Sequence, residues 1–167
     1  GTISAVETSL IVEPTGAHPR NSEGDILPLQ DGSLCLVYTQ FYGGTSDHAD
    51  AHLVKRISTD GGKTWGKDQT VVQKEGGKNV MSVSLLRLQD ESIALFYLRK
   101  ISLQDCRPIM RVSRDEGKTW SDPVECITDQ VGYYVLNNDR AVQLASGRIV
   151  LPVAMHATRE QPEWDGA

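Results

Sequence analysis

The sequence predicts an all-β chain that forms part of a β-propeller, about two and a half four-stranded blades in extent. Three observations carry that expectation. A hairpin pattern recurs along the chain, a turn sequence recurs out of step with it, and no stretch of about ten or more residues shows an apolar period near 3.6.

The hairpins set the phase. Leu27-Pro-Leu-Gln-Asp-Gly-Ser-Leu-Cys-Leu-Val-Tyr38 recurs as Leu86-Arg-Leu-Gln-Asp-Glu-Ser-Ile-Ala-Leu-Phe-Tyr97, and more loosely as Val142-Gln-Leu-Ala-Ser-Gly-Arg-Ile-Val-Leu-Pro152. The interval is roughly 55 to 60 residues, which signals a repeat architecture. Each copy reads as a strand, a tight turn at Asp31-Gly32, Asp90-Glu91 or Ser146-Gly147, and a second, more apolar strand.

A third and a fourth strand complete the unit. The alternating stretches His52-Leu-Val-Lys-Arg-Ile57 and Pro108-Ile-Met-Arg-Val112 lead into Ser58-Thr-Asp-Gly-Gly-Lys-Thr-Trp65 and Ser113-Arg-Asp-Glu-Gly-Lys-Thr-Trp120. A further β-rich segment such as Gln69-Thr-Val-Val72 follows. One blade is expected over about 18–75, a second over about 77–128 and the start of a third over about 133–158, all within one propeller domain spanning 1–167. The segment Ser4 to Glu13 is expected to lend a strand to another blade. Because a propeller closes with about four to eight blades, the remaining blades are expected from another chain or from residues beyond this sequence.

Composition narrows the function. Seventeen basic against twenty-two acidic residues give a net charge of −5 with neither sign in a block, which disfavours nucleic acid and anionic membrane surfaces as partners. The longest apolar runs, such as Ile93 to Leu98, fall far short of the roughly 20 residues of a membrane-spanning helix. Cys35, Cys106 and Cys126 form neither a CxxC pair nor an even disulfide framework. The opening Gly1-Thr2-Ile3, without an initiator Met or a signal-peptide pattern, reads as a processed start. His48, Asp50 and His52 would share one face of an extended stretch, but no His-Glu-x-x-His order is present. No metal and no cofactor is expected.

The repeated turn Ser-x-Asp-x-Gly-x-Thr-Trp resembles the Asp box of the sialidase (neuraminidase) superfamily, and the resemblance runs along most of the chain. In the box Asp60 and Asp115 can accept backbone N–H groups, Gly62 and Gly117 allow positive φ, and Trp65 and Trp120 offer apolar surface. These residues build turns, so the box marks the family rather than the chemistry. The resemblance implies a six-bladed, sialidase-like propeller.

It also implies site residues. The first inner strand of such proteins opens with an Arg that binds the substrate carboxylate. Arg20 stands there, followed by Asn21, without the usual Ile-Pro. The general acid is an Asp in the loop before the first box; within Gly43-Gly-Thr-Ser-Asp-His-Ala-Asp-Ala-His52 the better match is Asp47, with Asp50 the fallback. A second carboxylate-binding Arg is missing from Tyr38-Thr-Gln-Phe-Tyr42, where Gln40 is expected in the slot. The nucleophilic Tyr and its Glu partner belong to later blades, so Tyr133 and Tyr134 are not assigned that role.

Blade phase adds Asn79, Asp105, Asn138, Arg140 and His156 as polar side chains at strand mouths suited to sugar hydroxyls. Three functions follow: a sialidase-type retaining exo-glycosidase with a glycan substrate, a hydrolase of the same fold acting on a non-sialic glycan, and a non-catalytic carbohydrate-binding propeller. Relatives that degrade external glycans are usually exported, which implies an extracellular or periplasmic location.

Overall fold

A computed structural model describes residues 7–158. β1 (Arg20–Pro28), β2 (Leu34–Phe41), β3 (Ala51–Ser58) and β4 (Gln69–Val72) form one antiparallel sheet in sequence order. β5 (Asn79–Arg87), β6 (Ile93–Lys100), β7 (Cys106–Ser113) and the short β8 (Val124–Glu125) repeat that order. β9 (Gly132–Val135) pairs antiparallel with β12 (Ala154–Thr158) and meets β7 in parallel at Cys106 and Tyr133, while β10 (Val142–Gln143) and β11 (Ile149–Val150) form a separate hairpin. Among the described residues there is no helix.

The hairpin turns are closed by local side chains. Asp31 accepts the backbone N–H and the hydroxyl of Ser33 at 2.9 and 2.6 Å, and Asp90 does the same for Ser92. Asx turns of this kind supply the reversal that a run of alternating residues cannot. Strand β6 shows why its sequence is apolar from Ile93 to Leu98. Ile93, Leu95 and Tyr97 pack with Val37, Leu53 and Ile109, whereas Ala94, Phe96 and Leu98 pack with Phe41, Tyr133 and Leu136. Successive side chains point to opposite faces, so a sheet covered on both sides has no polar face to alternate with.

A polar triad sits on each sheet. Tyr38 donates to Asp68, which also pairs with Arg56; in the second sheet Tyr97 donates to Glu75, which pairs with Arg111. Glu75 belongs to the connection between the sheets, so the second triad ties one sheet to the next.

The innermost strands carry an irregularity that alternation does not predict. The β1–β2 register slips between Ser22 and Asp25, and the β5–β6 register between Met81 and Ser84. Glu23 and Ser82 take φ of 53° and 63° at these bulges, and Asp139, between β9 and β10, takes 52°. The bulges lace the strands together: Leu85 N–H donates to Asp25 at 2.7 Å, Asp139 N–H to the Val83 carbonyl at 3.1 Å, and the Asn138 amide to the Gly24 carbonyl at 3.2 Å.

The blade that Ser4 to Glu13 is expected to join is not among the described residues. Residues 7–13 carry no strand. They run against the first sheet through side-chain contacts, the Val12 carbonyl accepting from the Asn21 amide and Ser9 meeting the Trp65 indole, and not through a strand edge. Ser4 to Val6 lie outside the described residues.

Candidate active site

β1 begins and β2 ends at the same level, Arg20 opposite Phe41, so both side chains emerge on one face. The Arg20 guanidinium lies 4.5 Å from the Phe41 ring centroid and donates to the Asp47 carboxylate at 2.5 Å and the Thr45 carbonyl at 3.1 Å. The ring leaves one end of the guanidinium fork for charged partners.

The loop that carries Asp47 is closed at its base, where Tyr42 and Gly43 donate to the Asp50 carbonyl. It is gripped from the second sheet. Asn79 donates to the carbonyls of Asp47 and Ala49 at 2.9 and 2.8 Å, and Lys100, 1% exposed, donates to the Asp47 carbonyl at 2.5 Å. The Lys100 ammonium also lies 5.6 Å from the centre of the Tyr133 ring.

The two carboxyl groups of this corner are pushed in opposite directions. The hydrogen bond from Arg20 holds Asp47 below the usual carboxylate range, so it is charged. Burial pushes Glu23 upward against the pull of Arg20, Ser82 and Lys100. Burial likewise lowers Lys100 and raises Tyr133.

Arg20, Asp47 and Asn79 come together as one cluster. The other expected residues are placed elsewhere. Asn21 and Gln40 pair across β1 and β2 on the opposite face from Arg20, and Gln40 is buried between Asp68 and His52. Asp50 pairs with Lys74 at 2.6 Å, and Asp105 with Arg107 at 2.8 Å. Asn138 spans to the Gly24 carbonyl. Arg140 borders a depression of about 310 Å³ with Asn137 and Pro152. His156 is half-buried on β12.

Glu23, Lys100 and Phe41 are the site residues that the sequence reading passed over. Glu23 stands in the run Arg20-Asn-Ser-Glu-Gly-Asp25, whose polarity is unusual for an inner strand. Lys100 ends a strand that is apolar from Ile93 to Leu98, where only its partners reveal a role. Among the described residues no group of three or more His, Cys, Asp or Glu could hold a metal ion. Among the described residues no helix is long and apolar enough to cross a membrane.

The sequence matches the BNR repeat-like domain over residues 32–165. The chain belongs to the BNR repeat-like family. No curated protein sequence matches it. Among solved structures, this BNR-repeat chain is similar to a Hadza microbial sialidase, at 14% identity and a TM-score of 0.69 over 87% of this chain and 34% of that one. It is similar to the sialidase of Trypanosoma rangeli, at 18% identity and a TM-score of 0.62 over 83% of this chain and 27% of that one. An ulvan lyase bound to -[GlcA(1-4)Rha3S]- gives 16% identity and a TM-score of 0.59 over 86% of this chain and 33% of that one.

The BNR-repeat chain thus spans about a third of the length of these proteins. At such identities the likeness is one of fold, a sialidase-like β-propeller represented here by part of its blades.

Proposed function

We infer that this chain contributes the carboxylate-binding corner of a glycan-processing site, in a sialidase-like exo-glycosidase that removes a terminal anionic sugar. The observation that carries the reading is Arg20, its guanidinium stacked on Phe41 and bound to the carboxylate of Asp47. A sugar carboxylate has the same charge and shape as the group already on that fork. Two similar folds, named as sialidases, and a third, bound to a glucuronic-acid chain, support an anionic sugar.

In this reading Asp47 is the carboxyl that the substrate displaces. It is charged while Arg20 holds it, and it becomes a proton donor only after a substrate carboxylate has taken the guanidinium. Asn79 and Lys100 keep its backbone fixed meanwhile. With Gln40 on the other face, Arg20 has no second guanidinium from this strand pair beside it, which favours a uronic or other acid sugar alongside sialic acid. The nucleophile and the remaining blades come from polypeptide outside these residues.

The test is turnover by the intact protein of 4-methylumbelliferyl glycosides of sialic, uronic and neutral sugars. Acidic glycosides are expected to be cleaved, with Arg20→Ala raising KM for them roughly 10- to 100-fold, the scale of a charged hydrogen bond. An equal KM for acidic glycosides in the variant and the parent would defeat the anchor. Binding of acidic glycans without any turnover would establish a carbohydrate-binding propeller instead.

A further inference from the structure

We propose that the second Asp box carries an accessory binding site for an acidic polysaccharide, built around Trp120 and remote from Arg20. The proposal goes beyond the carboxylate-binding corner and takes from that reading only the class of polymer.

The two boxes are alike in sequence and differ in their surroundings. The Trp65 indole N–H donates to the Gly62 carbonyl at 3.1 Å and meets the Ser9 hydroxyl at 3.5 Å. In the second box the matching carbonyl, that of Gly117, accepts instead from the Lys55 ammonium of the first sheet at 2.7 Å. Among the described residues the Trp120 indole N–H has no acceptor, which leaves this donor for a bound group. Position 114 differs as well, an Arg where the first box has Thr59. Turn formation calls for neither change, since Asp115 and Thr119 close the second box as Asp60 and Thr64 close the first.

Trp120 packs against the core and forms a wall of two depressions that also share Thr119. One, of about 430 Å³, is bordered by Val112, Arg114 and Ser121; the other, of about 270 Å³, by Lys55, Thr70, Arg111 and Lys118. The larger falls within the range of small-ligand sites, about 300–1,000 Å³. The residues lining the pair include four cations and no carboxylate, in a chain whose net charge is −5. Arg111 is paired with Glu75, and Lys55 is taken by the Gly117 carbonyl. Arg114, its side chain 77% exposed, meets Asp90 at 3.3 Å, and Lys118 is exposed. So exposed an ion pair is weak in water, so both cations remain open to an incoming anion.

An indole with a cation in the depression on either side selects a ligand that is apolar on one face and anionic at its edge. A pyranose bearing a carboxylate or sulfate meets both demands. Its axial C–H groups lie on the indole while its acid group reaches Arg114 or Lys118. With one exposed cation in each depression, successive acid sugars of a polymer find partners on both sides of Trp120. All the lining residues come from the first two sheets. The eight residues of β3 separate this end of the sheet from the Arg20 end by roughly 25 Å, so a polymer held here leaves the corner open.

The experiment titrates the intact protein, its tryptophans labelled with nitrogen-15, with oligomers of polygalacturonate and of chondroitin sulfate. The indole N–H resonances are followed, those of Trp65 and Trp120 being identified by Trp65→Phe and Trp120→Phe. The Trp120 signal is expected to move with at least one of the two glycans while the Trp65 signal stays. Arg114→Glu combined with Lys118→Glu, which alters exposed side chains alone, is expected to weaken that binding about 10-fold or more, the scale of a lost charge-assisted hydrogen bond. Trp120→Phe keeps a ring on the core and removes the N–H donor, and is expected to weaken binding several-fold.

Neutral dextran and polyglutamate, a polyanion without a sugar ring, are expected to leave the Trp120 signal in place. No movement with either acidic glycan, or affinity unchanged by the charge reversal, overturns the site. An equal response to polyglutamate or to dextran overturns the acidic-sugar ligand. Arg20→Ala is expected to leave the Trp120 titration unaltered, so a failure of the Arg20 anchor, read from KM, is distinct from a failure here.

Discussion

The side-chain amide of Asn79, at the head of β5, donates to the backbone carbonyl of Asp47 at 2.9 Å and thereby fixes a first-sheet loop from the second sheet. The same amide reaches the Ala49 carbonyl at 2.8 Å. The position of the Asp47 carboxylate is thus a property of how the two sheets are packed.

Asn79→Ala removes both hydrogen bonds and leaves the loop with its Lys100, Arg20 and Lys74 contacts. A loss of about 1–3 kcal/mol in stability is expected, the scale of buried carbonyls left without partners. Denaturant titration checks it. Limited proteolysis within 43–50 is expected to accelerate, because the loop then opens without global unfolding. Unchanged cleavage would show that Lys100, Arg20 and Lys74 suffice to hold the loop.

The two Asp boxes lie at the far end of the sheets from Arg20, since Ser58 pairs with Leu34 while Ala51 pairs with Phe41. Asp60 accepts the backbone N–H and the hydroxyl of Thr64 at 2.9 and 2.6 Å, and Asp115 does the same for Thr119 at 2.8 and 2.6 Å. Asp60→Asn and Asp115→Asn are expected to lower the unfolding midpoint and leave KM for a glycan unchanged.

The boxes also set an acid limb. Hydrogen bonds from the Thr64 and Thr119 side chains lower Asp60 and Asp115 from 3.8 to about 2. A carboxylate depressed in the fold contributes stability that is full well above 3.8 and disappears as pH falls through about 2. Thermal unfolding followed across that window is expected to show a shallower fall in the Asn variants. A slope identical to the parent would remove the boxes from the account of acid stability.

Gly77 joins the sheets at φ 55°, and a Cβ there would lie 2.4 Å from the Ile101 Cα and 2.7 Å from the Lys100 carbonyl oxygen. Neither backbone atom can move without shifting the strand end that carries Lys100. Gly77→Ala is expected to cost about 1–3 kcal/mol and to weaken acid-sugar binding along with stability. Calorimetry and a binding titration on one preparation check both.

Much of the fold is legible in the residues because it is local. The Asp31-Gly32 turn, the alternation of β3 and the Ser58-to-Trp65 box each encode their own geometry within a few residues. Their recurrence yields the blade. Arg20 and Asp47 could be picked out because the Asp boxes place the chain beside the sialidase superfamily, and the resemblance implies roles at those two positions. The bulge at Glu23 leaves no comparable mark, because Glu is an ordinary strand residue until the register slips around it.

The sequence by itself determined the all-β repeat and its turns, and through its family resemblance it singled out Arg20 and Asp47. Only the tertiary structure decided which polar side chains meet. Gln40 and Asn21 fall on the face away from Arg20 through the two-residue period of a strand, a matter of pairing register. Lys100 and Asn79 reach Asp47 only because the second sheet packs against the first, across sequence separations that no local pattern encodes. The directions in which these carboxyl groups are pushed follow from that packing as well, since burial at Glu23 and a guanidinium at Asp47 exist only once the sheets are assembled.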